Sequence, residues 1–146
     1  MYFSEPRAHA VPLFTSSKIL PLNMLYVETV SSIMFDVSCL TVPTNISNLS
    51  IKANEKHNQH ETRFSSSCNF YIYRSRLNQN HGSFAKFGAK LWNSICDEPR
   101  HLPKRAFKKH INDMLFSLLE AEDDYIESPI LLQKIANYRA TIEFNL

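Results

Sequence analysis

Glycine is nearly missing from this chain, with only Gly82 and Gly88 in 146 residues, so no phosphate-cradling glycine-rich loop can be built from it. Cysteine is scarce too: Cys39, Cys68 and Cys96 are odd in number, widely spaced and never in a CxxC pair. A disulfide framework is therefore not expected, and a reducing, intracellular compartment fits better than secretion. Zinc needs four ligands, usually with a close cysteine pair. His57 and His60 with Cys68 fall short of that and read as surface histidines near a polar loop. Ser65, Ser66 and Ser67 lie near His60 without an orienting acid at a recognisable spacing, so no hydrolase is expected. The longest apolar stretch, Leu22 to Leu40, is interrupted by Glu28 and Asp36, whereas a membrane span needs about 20 nearly charge-free residues. Glu5, Pro6 and Arg7 stand where a signal peptide needs a basic start and an apolar run, so the sequons at Asn45 and Asn48 carry no weight. Asp123-Asp124 does not make a polymerase carboxylate pair: it follows a helix beside Glu120 and Glu122 rather than sitting on a turn between strands. No catalytic constellation, metal, cofactor or small-molecule substrate is expected.

What is present is enough apolar material for a core, 44% hydrophobic residues with ten Phe, in a chain of one-domain length. The net charge of +2 hides an asymmetry. Residues 1–55 carry three Lys/Arg against four Asp/Glu; residues 56–110 carry eleven against three, and residues 111–146 two against seven. A basic middle thus stands between a near-neutral arm and an acidic tail, which speaks about partners rather than fold.

Pro6, Pro12 and Pro21 make residues 1–21 read as an extended arm. Tyr26, Val30, Ile33, Val37 and Leu40 recur at steps of three and four, with Glu28, Ser32 and Asp36 on another face: an amphipathic helix over 22–40, Pro21 near its start. Residues 41–62 are polar and read as a linker or surface loop. The run 69–73, Asn-Phe-Tyr-Ile-Tyr, predicts a short strand or hairpin near 69–76, with a turn over Asn78 to Gly82. A short helix follows, from Phe84 or Lys86 to Ile95. Past Pro103, Phe107, Ile111, Met114, Leu115, Leu118 and Leu119 form one apolar stripe of a long helix, with Pro103 in its first turn. Ser128-Pro129 opens a final helix to about Tyr138 within the acidic tail 126–146. The fold class expected is mainly α: a small helical module with an extended N-terminal arm.

The helix after Pro103 carries its charge against the macrodipole. Lys104, Arg105, Lys108 and Lys109 lie in its first turns, and Glu120, Glu122, Asp123 and Asp124 at its end. Each exposed charge placed that way costs about 0.3–1 kcal/mol. Two explanations stand open: an anion site, where free backbone N–H groups beside cations suit a phosphate, or a solvated basic face, paired with the acidic tail. Residues 63–90 add Arg63, Arg74, Arg76, Lys86 and Lys90 among Phe64, Phe70, Tyr71, Tyr73, Phe84 and Phe87. Cations with exposed rings suit single-stranded nucleic acid, by phosphate neutralisation and base stacking. At least half of those rings, and Trp92, are expected in the core instead.

Several segments resemble, in order, the C-terminal region of LINE-type (non-LTR) retrotransposon reverse transcriptases: 61–66, 69–71 and 75–78; then 83–95, Ser-Phe-Ala-Lys-Phe-Gly-Ala-Lys-Leu-Trp-Asn-Ser-Ile; then 102–104, 107–109 and 122–125. Pieces of 12–36 are similar to the helical, thumb-like segment before that tail. The resemblance implies that the chain begins beyond the polymerase core and lacks the endonuclease, the palm aspartates and any dNTP site. It implies no enzymatic activity, and a tail that helps to hold template RNA or target DNA. Cys96, where the family usually has Pro, and His60-Glu61, in place of Tyr-Asn, are departures that suggest a drifting copy.

The leading expectation is a non-catalytic fragment of such an enzyme, binding RNA or single-stranded DNA. Arg63, Arg74, Arg76, Lys86, Lys90, Lys104, Arg105, Lys108 and Lys109 would lie on phosphate, with Tyr71 and Tyr73 as stackers. One alternative is a protein-interaction domain whose helices dock on a polymerase body or another protein. The other is a degenerate element with no selected function.

Overall fold

In the computed structural model, which describes residues 10–56, 68–73, 83–121 and 130–137, almost all regular structure is helical. The elements are α1 (Ala10–Ser17), α2 (Leu22–Ser38), α3 (Thr44–Ser47), α4 (Ala53–Lys56), α5 (Phe84–Ser94), α6 (Asp97–Arg100) and α7 (Lys104–Glu120). An eighth, α8, covers 130–137. The mainly helical class is as the sequence predicts.

Helix α2 is the organiser. It packs against α5 along one flank and α7 along the other, while α7 also meets α1 and α6. Being flanked twice, α2 buries a wider and rotated face: Met24, Val27, Val30, Ser31, Met34, Phe35 and Val37. The stripe read from the sequence is corrected accordingly. Tyr26 and Leu40 remain 43% and 69% exposed, while Ser31 is buried and donates its hydroxyl hydrogen to the Val27 carbonyl at 2.8 Å. In α7 the expected stripe holds, with Phe107, Ile111, Met114, Leu115 and Leu119 buried and Leu118 partly so. Each such side chain contributes roughly 1.5–3 kcal/mol by leaving water.

The extended arm expected over 1–21 is corrected where it is described; residues 1–9 lie outside the described residues. Residues 10–17 form a helix, with Val11 and Leu20 in the core. Pro12 causes no break, because within the first turn of a helix the missing N–H has no partner to lose. Pro103 sits one residue earlier than expected, at the N-cap of α7, as Pro21 and Pro43 do for α2 and α3. Proline supplies no capping side chain there, and none of these three starts has a side-chain cap.

Scarce glycine shows at the helix ends. α2 closes with Leu40 N–H on the Val37 carbonyl at 3.1 Å and Thr41 N–H on Asp36 at 3.0 Å, around a left-handed Leu40 at φ 57. α1 closes in the same way around Lys18 at φ 52. That left-handed position is one glycine normally fills.

Of the strand expected near 69–76, the described residues hold a single antiparallel bridge, between Phe70 and Lys52. It is framed by Ala53 N–H to the Asn69 carbonyl and Tyr71 N–H to the Ile51 carbonyl, both 2.8 Å. The pairing segment therefore lies upstream, in what reads from sequence as a linker; residues 74–76 and the turn over 78–82 lie outside the described residues. One core then runs through the elements, from Val11 to Leu131 and Ile135 of α8. Trp92 lies near its centre, with ring centroids 6.5, 5.9 and 5.9 Å from Phe35, Phe70 and Phe107.

Candidate nucleic-acid interface

With the apolar stripe of α7 turned inward, its first turns present Lys104, Arg105, Lys108 and Lys109 to solvent. No acid lies in that first turn. The structure divides the four cations. Lys104 donates from Nζ to Asp36 Oδ2 at 2.7 Å, and Lys108 Nζ lies 3.5 Å from Glu28 Oε1. Both carboxylates belong to α2, and the pairing order runs in opposite senses along the two helices. The lysine side chains stay 58% and 60% exposed, whereas Asp36 and Glu28 are 24% and 12% exposed. Acids supplied from a neighbouring helix thus stand at the electropositive start of α7 and relieve part of its dipole conflict. The expected pairing with the acidic tail falls on residues 122–129 and 138–146, which lie outside the described residues. Among the described residues no carboxylate pairs with Arg105 or Lys109.

On α5, Lys86 and Lys90 stand one turn apart and half-buried, adding two like charges to one side of the helix. Arg63, Arg74 and Arg76 lie outside the described residues. Of the rings proposed to stack on bases, Tyr73 is exposed and Tyr71 half-buried, meeting edge to face at 5.2 Å. Lys56, not singled out from sequence, places Nζ 5.7 Å from the Tyr71 ring centroid. Trp92 is core as expected; of the aromatic set, Phe70 and Phe87 are core and Phe84 is partly buried against it, while Phe64 lies outside the described residues.

Three residues of the 83–95 cluster have clear structural roles. Gly88 lets α5 approach α2: a Cβ there would meet Met34 Sδ at 2.8 Å and Val30 Cγ1 at 3.5 Å. Trp92 Nε1–H donates to the Cys68 carbonyl at 3.2 Å. Asn93 receives the Phe70 N–H on Oδ1 at 2.9 Å and donates from Nδ2 to the Phe70 carbonyl at 2.8 Å.

Arg100 is a residue that sequence reasoning missed. Its guanidinium is buried and donates to the carbonyls of Trp92 and Ile95 at 2.6 and 2.7 Å, closing the C-terminus of α5. It also reaches Asn69 Oδ1 at 3.1 Å and Asp97 Oδ1 at 2.7 Å, with its carbon 5.2 Å from the Trp92 ring centroid. The Asp97-x-x-Arg100 spacing was a readable signal for the ion pair, but not for the three other acceptors.

Among the described residues no group of three or more His, Cys, Asp or Glu side chains converges on a metal position, and no helix is long and apolar enough to cross a membrane. His57, His60, Ser65 to Ser67 and Asp123-Asp124 lie outside the described residues. Comparison with protein-family models, curated proteins and solved structures finds no match.

Proposed function

We propose that this chain is a non-catalytic C-terminal piece of a LINE-type (non-LTR) reverse transcriptase whose role is to hold RNA or single-stranded DNA. The observation that carries the reading is the solvent-facing basic start of α7, where Arg105 and Lys109 have no carboxylate partner among the described residues. Lys86 and Lys90 of α5 add to it, and the exposed Tyr73 supplies a ring for a base. The test is a salt titration of binding to single-stranded oligo(U). Four phosphate contacts, by these four cations, predict a log–log slope of about −2.8, or roughly a fifty-fold loss of affinity between about 50 and 200 mM salt. Affinity that hardly changes over that range overturns the reading.

A second reading, docking on a polymerase body, is favoured by one observation. Leu22, Leu25 and Tyr26 of α2 are 80%, 41% and 43% exposed and share a helix face, with Ile19 also exposed just before them. Under that reading Leu22→Ser with Leu25→Ser removes binding to a purified polymerase core of the resembled family and leaves the salt slope for oligo(U) unchanged.

A further inference from the structure

We infer that Glu28 and Asp36 are affinity-setting residues of the basic face: they hold Lys108 and Lys104 against α2 and withhold two cations from a bound phosphate backbone. The inference rests on the nucleic-acid reading of α7. Lys104 and Lys108 lie on the same turns as Arg105 and Lys109, so a strand following those turns passes within reach of all four. Their ammonium groups are engaged by carboxylates 68 and 80 positions away in sequence, at 2.7 and 3.5 Å. The two sides of each pair differ in a useful way. The acids are largely sunk in the surface of α2, while the lysines are more than half exposed on flexible stems. A phosphate can therefore displace a carboxylate by moving the lysine alone, with neither helix shifting. Pairs this exposed are weak, so the exchange is reversible and salt-dependent rather than a lock. The acids act as an internal stand-in for phosphate and engage two of the four α7 cations until a polyanion of higher local charge competes.

The experiment uses the full chain with Glu28→Gln and Asp36→Asn, singly and together, binding single-stranded oligo(U) across the same salt range. Asp113→Asn with Glu120→Gln is the control. Both acids are exposed on α7, and no described cation pairs with either, so the control removes equal charge without releasing a lysine. Two released cations steepen the slope by about 1.4, and each single substitution by about 0.7, with tighter binding at low salt. The control tightens binding modestly with its slope unchanged. Equal slopes in variant and wild type, or a control that steepens as much, overturn the inference while leaving the basic-face reading in place. A wild-type chain without salt dependence overturns both. Loss of helical circular dichroism in both single variants also overturns it, because the pairs are then structural staples.

Discussion

The Phe70 N–H and carbonyl, turned away from Lys52, meet the Asn93 side chain where a sheet would offer another strand. One amide supplies a donor and an acceptor at the right spacing, so the bridge at Phe70 is satisfied on both edges. Asn93→Ala leaves two backbone groups unpaired and is expected to cost about 2–4 kcal/mol in urea unfolding. Asn93→Asp keeps the acceptor but sets a charged oxygen against the Phe70 carbonyl, and should be no milder. The opposite sign is expected at Leu40. Its left-handed φ of 57 suits glycine, and its side chain is 69% exposed, so little packing is lost. Leu40→Gly should stabilise by about 1 kcal/mol, raising Tm by roughly 2–4 °C.

Among the elements, α7 was fully legible and α2 only partly. The α7 stripe faces one core, and its spacing of three and four identifies the buried residues directly. α2 is gripped from two sides, so residues flanking the hydropathy stripe are buried with it, Ser31 included, and the outermost stripe positions are left in water. No single-helix periodicity contains that information. α1 was hidden for a simpler reason, since Pro12 reads as a breaker unless the helix start is already known. The α2–α5 contact gives a test. Gly88→Ala gains about 1 kcal/mol of helix propensity but drives a methyl into Met34, an overpacking cost of about 1–3 kcal/mol. A net loss near 1 kcal/mol is expected. Met34→Ala alone should cost about 2–5 kcal/mol, and the double variant clearly less than the sum of the two. Strict additivity in denaturant unfolding would show that Met34 is not what Gly88 accommodates.

At the scale of the molecule, buried and half-buried contacts remote in sequence tie the elements together: Asn93 with Phe70, Arg100 with Asn69, Trp92 with Cys68. Composition revealed the basic middle, but its division into paired and unpartnered cations depends on two helices lying side by side. The acidic tail gives a similar lesson. Its sequence suggested a final helix but not where it packs, and Leu131 and Ile135 of α8 are fully buried in the common core. Leu131→Ala and Ile135→Ala should each cost about 2–5 kcal/mol, measured as a lower urea midpoint. Values below about 0.5 kcal/mol would place α8 outside the cooperative unit.

The single indole of the chain is also a ready-made spectroscopic reporter. Trp92 lies among Phe35, Phe70 and Phe107, beneath a guanidinium, with its N–H tied to a carbonyl from a segment 24 positions away. Its emission therefore follows the joining of α2, α5, α7 and the 68–71 segment in one signal, with no label added. Oligonucleotide titrations on the outer turns of α7 should leave that emission nearly silent, so fluorescence separates damage to the scaffold from loss of contact at its surface.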